Sequence, residues 1–351
     1  MDVDMMQPSE LSGRKTAILR TLVHHYIRTG EPVGSEIIAA SAALGVSSAT
    51  IRNELAALEE MGYLTQPHTS AGRAPTDRAY RYYVDLLPNR PRLRDPERRQ
   101  IVHFFDLALN DVDEILKGTT QLLSRLTRYA SLALAPSVRV ARIARAELVP
   151  LGSGTLLLVV FDTGRVEKRM VGTPSDLDAE DGRRLTTALE AMTGRTLQEA
   201  VAEARAHSGE PTPAAPTWSR VAEALASIDE AAEAEHVVVG GAANFASEQS
   251  FRRRETLREI FEALERESEV LTLLRGAAAF PSVSVTIGAE NPLTGMWDAS
   301  VVVAPFDAGG QSTGSIGVVG PTRMDYPAAI SAVQAVALRL SAAVEALGGT
   351  Q

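Results

Sequence analysis

The sequence predicts an α+β chain of more than one domain: a helix-turn-helix head, then an antiparallel sheet interrupted by a long helical stretch. Three observations predict it. Apolar residues recur at helical spacing through the first hundred positions. The pattern then switches to short strand-like runs at 146–171 and again at 283–319, and Pro-rich stretches at 88–96 and 211–216 punctuate the chain. The 351 residues hold two or three domains of about 150 residues each. Zero cysteines exclude a disulfide framework, a Cys-ligated zinc, an iron-sulfur cluster and a thiol nucleophile, and fit a cytoplasmic location. Residues 1–10 carry Asp2, Asp4 and Glu10 with no basic start, so no secretory signal is expected. No uncharged run is long enough to span a bilayer, and no membrane partner is expected.

The net charge is −9, which argues against a nucleic-acid binder until it is read by segment. Residues 1–100 hold 13 Lys or Arg against 12 Asp or Glu, whereas the remainder holds 22 against 32. A DNA interface therefore belongs in the first hundred residues.

Within that head, 12–28 places Ile18, Leu19, Leu22, Val23 and Tyr26 on one helical face, with Ser12 as cap and Thr29-Gly30-Glu31-Pro32 as stop. A short helix starts at Ser35, Gly45 turns the chain, and a third helix begins at Ser47 or Ser48. Ile51, Leu55 and Leu58 form its core stripe, leaving Ala49, Arg52, Asn53 and Ala56 on the opposite face. Those types suit a major groove. Small Ala49 permits close approach, Arg52 reaches guanine O6 and N7 or a phosphate, and Asn53 pairs with adenine. Ser47, Ser48 and Thr50, at the positive helix end, suit phosphate oxygens. A solvated helix face would show the same spacing; the next segment favours DNA. A short strand at 62–65 and a polar loop at 66–75 read as a wing, where backbone N–H groups around Ser70 to Gly72 suit phosphate and His68 and Arg73 reach flanking backbone or minor groove. Thr76 is expected to cap a helix whose Tyr80 and Tyr83 pack beneath the wing.

Past a Pro-rich linker, two helices are expected between 98 and 130. A meander follows at 146–151, 156–161 and 166–171, then a mostly helical stretch at 177–279 interrupted by the apolar run 236–239, strands at 283–287, 299–304 and 314–319, and a final helix at 327–347. The meander and the late strands are expected to share one sheet, since neither half alone shields its edges.

The run Thr50-Ile51-Arg52-Asn53-Glu54-Leu55, the segment 64–75 around His68-Thr69-Ser70-Ala71-Gly72-Arg73 and the tail 80–87 resemble the HrcA family of heat-inducible transcription repressors. Further on, Gly240-Gly241-Ala242-Ala243-Asn244, Ile287-Gly288-Ala289-Glu290-Asn291 and the run from Gly317 to Tyr326 continue the likeness in the family's order. The resemblance implies a winged helix-turn-helix domain at 1–88 and a linker at 89–97. A GAF-like α/β domain at 98–190 and 283–351 would be interrupted by a mainly helical dimerising insert at 191–282. It implies a repressor that binds an inverted-repeat operator of double-stranded DNA before chaperone operons as a homodimer. Release on heat stress and support from the GroE-type chaperonin are implied as well. No enzyme activity, cofactor or metal is expected.

Other motifs read blandly. Gly314-Ser315-Ile316-Gly317-Val318-Val319-Gly320 has the wrong spacing for a phosphate loop, and Gly152-Ser153-Gly154 sits between strands. Gly310-Gln311-Ser312-Thr313-Gly314 spells a nucleophile elbow, but a strand, not a helix, follows it. His24 and His25 lie on different helical faces, and Arg252-Arg253-Arg254 with the glutamates after it reads as a salt-bridged surface. Arg323 and Asp325 suit a ligand or an ion pair equally. Two alternatives stay open: a repressor gated by a small molecule in the GAF-like domain, and an enzyme with its site in 283–326.

Overall fold

The computed structural model describes residues 11–41, 45–68, 71–88, 93–106, 112–136, 141–151, 154–172, 179–231, 237–241, 254–278, 282–307 and 313–348. In the head, Ser12 caps α1 (Gly13–Thr29) by accepting a hydrogen bond from the Lys15 N–H. Gly30 ends the helix at φ 74°, a conformation that favours glycine. After α2 (Ser35–Ser41) and Gly45 at φ 63°, Ser47 caps α3 (Ser48–Glu60). The predicted stripes of α1 and α3 are buried against each other.

Strands β1 (Leu64–Thr65) and β2 (Ala74–Pro75) pair antiparallel. A third strand segment was not predicted: Val33 and Arg73 exchange two backbone hydrogen bonds of 2.9 Å each. Gly72 permits this, because a Cβ there would lie 2.4 Å from the Val33 carbonyl carbon. Thr76 stands before α4 (Asp77–Asp85) without capping it. Its hydroxyl instead donates toward the carbonyls of Gly62 and Tyr63, at 2.8 and 3.0 Å. Tyr80 and Tyr83 are buried.

The body begins with α5 (Asp95–Asp106), α6 (Val112–Thr127) and β3 (Ala130–Leu134). Strand β3 was not predicted because every residue in it is buried, so no alternation betrays it. Next come β4 (Ile143–Leu151), β5 (Gly154–Phe161), β6 (Val166–Met170), α7 (Ala179–Glu190), α8 (Leu197–Ser208) and α9 (Ala215–Ala231). They are followed by β7 (Val237–Gly240), α10 (Arg254–Glu265), α11 (Glu267–Ala278), β8 (Ser284–Ile287), β9 (Ala299–Asp307), β10 (Thr313–Pro321) and α12 (Tyr326–Gly348).

Two separate sheets result, which corrects the single shared sheet. The main sheet has the order β7-β3-β10-β9-β8, every neighbouring pair antiparallel. Helices α6 and α12 cover one face and α10 and α11 the other. The meander forms its own sheet, β4-β5-β6, and its Leu157, Val159 and Phe161 share a core with Trp218, Val221 and Leu225 of α9. This unit spans 141–231 and leaves the main sheet after β3, returning at β7, whose Val237 lies opposite Leu134. A pair of adjacent strand ends is a cheap place to insert a domain, since the insertion strains neither strand. The expected boundaries at 191 and 282 cut across these layers: 141–190 packs with the insert, and 254–278 packs on the main sheet.

By length and composition 326–347 could cross a bilayer. Its Val333, Val336, Leu340 and Val344 are buried in the core instead, so it serves as a core helix of the main sheet.

Candidate DNA-binding interface

The polar face of α3 stands clear of the protein. Ala49, Arg52, Asn53 and Ala56 are exposed, while Ile51, Leu55 and Leu58 hold the helix to the head core. Ser47 Oγ accepts from the Thr50 N–H at 3.2 Å and lies 3.0 Å from the Thr50 hydroxyl, so both side chains order the helix start they decorate. Ser47→Ala should cost about 1 kcal/mol of head stability, a typical loss for a hydroxyl cap, and a melting curve of the variant checks it. Ser47 and Ala49 are exposed and Ser48 and Thr50 half-buried, all at the end where the helix dipole favours anions.

Two of the three acidic residues on the same helix are paired with cations. Glu54 meets Lys15 at 2.8 Å and Arg14 at 3.7 Å, and Glu59 meets Arg73 at 2.8 Å. Arg73 is thus a structural tie as well as a cation: its backbone pairs with Val33 and its half-buried side chain reaches the end of α3. His68 is exposed on the wing, 2.9 Å through its carbonyl from the Ala71 N–H. Ser70 lies outside the described residues. The arrangement gathers Ser47, Ser48, Ala49, Thr50, Arg52 and Asn53 on one helix, with the wing stem fixed beside it.

Sequence reasoning missed the joint between head and body. Arg81 of α4 donates through Nε to Glu290 Oε1 at 2.8 Å and through Nη2 to the Val285 carbonyl at 2.5 Å, and forms an ion pair with Glu290 Oε2. Burial works against the Arg81 charge, but Glu290 more than offsets it and its pKa rises. Asp77 Oδ2 accepts from the Ala289 N–H at 3.2 Å. Burial raises its carboxyl above the usual range, against the pull of that hydrogen bond. Tyr80 lies on Tyr326, ring centroids 5.9 Å apart. The Tyr326 phenol, pushed up by burial, donates to the Thr322 carbonyl and meets Ser300 Oγ at 2.8 Å.

The motif Ile287 to Asn291 builds that joint. Glu290 accepts from the Ile287 N–H, and buried Asn291 holds the turn through the carbonyls of Gly288, Met296 and Ala299. Gly288 (φ 54°) leaves the space that Asp77 fills. Asp325 accepts from the Ala328 N–H at the start of α12, and the Arg323 guanidinium lies against Gly30 at the end of α1. Both serve structure.

Gly314, Gly317 and Gly320 lie inside β10, where Phe306, Val302 and Met324 fill the space a side chain would need, so the segment is strand and not a phosphate loop. Ser312 lies outside the described residues; Thr313–Pro321, which follow it, form β10 and not the helix that an elbow needs. Among the described residues no His, Asp and Glu cluster could hold a metal. Arg252 and Arg253 fall outside the described residues; after them, Arg258 pairs with Glu262, and Arg266 with Glu269.

Comparison with known proteins places names on both parts. The family described as "Winged helix-turn-helix transcription repressor, HrcA DNA-binding" matches residues 10–85, and "HrcA protein C terminal domain" matches 113–330. A heat-inducible transcription repressor HrcA from Thermobifida fusca is 43% identical, over 93% of this chain and 95% of its own. The protein of the same name from Nocardia farcinica is 39% identical, over 94% and 96%. A crystal structure of a protein described as hypothetical shares the fold at TM-score 0.70 and 23% identity, covering 96% of this chain and 100% of that one. With a winged head, a body matched along most of its length and relatives aligned almost end to end, the chain belongs to the HrcA family of heat-inducible transcription repressors.

Proposed function

We propose that the protein represses chaperone operons as a homodimer, each head reading one half of an inverted repeat, and that heat releases it while the GroE-type chaperonin restores it. The observation that carries the DNA reading is the exposed Arg52 and Asn53 face of α3, on a helix whose Glu54 and Glu59 are already paired with cations. The carboxylates of Glu54 and Glu59 repel phosphate less for being paired, and the side chains suited to reading bases are exposed.

The insert supplies a face for the second copy. Strand β5 buries Leu157, Val159 and Phe161 against its helices and turns Leu156, Leu158 and Val160 the other way. In the paired register Leu156 lies between Val149 and Met170, Leu158 between Glu147 and Lys168, and Val160 between Arg145 and Val166. Met170 is 57% exposed. An apolar stripe edged by charges of both signs suits a two-fold contact, where each charge meets its opposite on the partner.

A gel shift with an inverted repeat selected in vitro against the full-length protein tests the reading. Binding should vanish after mild heating and return with chaperonin and ATP. Binding indifferent to both, or governed by an added metabolite, would overturn it.

A further inference from the structure

We propose that Arg81 and Asp77 are positioning residues for operator binding: they clamp each winged head to the Gly288–Glu290 turn, so that the body fixes the separation and angle of the two recognition helices. The proposal rests on the dimer reading above.

Three side chains of α4 make the clamp. Arg81 reaches both the Glu290 carboxylate and the Val285 carbonyl, which lies on β8, the outermost strand of the main sheet. An edge carbonyl otherwise open to water is thereby occupied by a charged donor. Asp77 enters the space at Gly288, where a Cβ would lie 1.9 Å from its Oδ2. Tyr80 rests on a Tyr326 ring whose hydroxyl is pinned at both ends. A single contact would leave a hinge, whereas three side chains of α4 held by β8, the Gly288–Glu290 turn and α12 restrain the head. The head core and the α12 side of the main sheet also form one continuous apolar cluster.

A clamped pair of heads presents two recognition helices at one distance. Each base pair added between half-sites moves one of them by about 3.4 Å along the axis and about 35° around it. Clamped heads therefore accept one spacer, while heads on loose tethers accept many at lower affinity.

The test uses the full-length protein and selected operators whose spacer is shortened or lengthened by one to five base pairs. Wild type should bind one spacer, losing about tenfold or more at neighbouring lengths. Arg81→Ala loosens the clamp from the head, and Gly288→Ala, whose new Cβ displaces Asp77, loosens it from the body. Both should bind the best spacer about tenfold more weakly and flatten the preference to within about threefold, while binding to a single half-site stays unchanged. That last readout separates a loosened head from an unfolded one. If Arg81→Ala loses half-site binding, Gly288→Ala alone decides, since its substitution lies in the body and alters no residue of the head sequence. A dimeric wild type without spacer preference, or variants that keep it, would overturn the clamp and leave the dimer standing. A wild type that sediments as a monomer would overturn both.

Discussion

Leu158→Asp should convert the protein to a monomer and weaken binding to an inverted repeat by about 100- to 10,000-fold, the range expected when two linked binding events become one. Leu158 sits at the centre of the open face of β5, outside the buried core of the insert, so a carboxylate there is solvated in the single chain and fold stability is little affected. In a two-fold contact the same carboxylate would be desolvated close to its own copy, a heavy penalty. The loss falls hard on operator binding because the head carries no net positive charge: residues 1–88 hold 8 Lys or Arg against 10 Asp or Glu and supply little bulk attraction to phosphate. Sedimentation and a gel shift on the same preparation check the prediction, and an unchanged sedimentation coefficient would remove this face from the interface.

Arg52→Ala should cost about 1–3 kcal/mol of operator affinity, a factor of about 5 to 150, and should relax the preference at one base pair of each half-site. The side chain is exposed and Ile51 beside it carries the packing, so the loss is not one of folding. Arg73→Ala is expected to behave differently. It leaves the backbone pair with Val33 but removes a cation and frees the Glu59 carboxylate, so every sequence should weaken together with no change in preference. Titration of both variants against a set of single-base operator variants distinguishes the two patterns. Equal weakening at all positions by Arg52→Ala would assign it to phosphate.

Local rules made the head legible. Ser12 and Ser47 cap where a hydroxyl precedes an apolar stripe, and Gly30 and Gly45 turn the chain at positive φ. Ile51, Leu55 and Leu58 fall on one face because three and four residues make one turn. The exposed Arg52 and Asn53 follow as the residues left over. Ser70 falls outside the described residues, and the wing was read from its polar small residues while its third strand, Val33, went unread. A single bridged residue between a proline and a glycine has no period to find.

The body was legible as elements and not as layers. The predicted meander and late strands exist, but period-two alternation says which face a residue takes and nothing about which strand lies beside it. Strand β3 hid because both its faces are buried, and with it went the point where the insert leaves the main sheet. The motif Ile287 to Asn291 was visible as letters, yet its purpose needed the head in place, since Asp77 and Arg81 stand more than two hundred residues away. By itself the sequence determined what its own neighbours decide: helix caps, turns, apolar stripes and the exposed polar face of α3. Strand pairing, the separate insert and the clamp between head and body were left to the tertiary structure, because those contacts join residues whose separation along the chain carries no periodic trace.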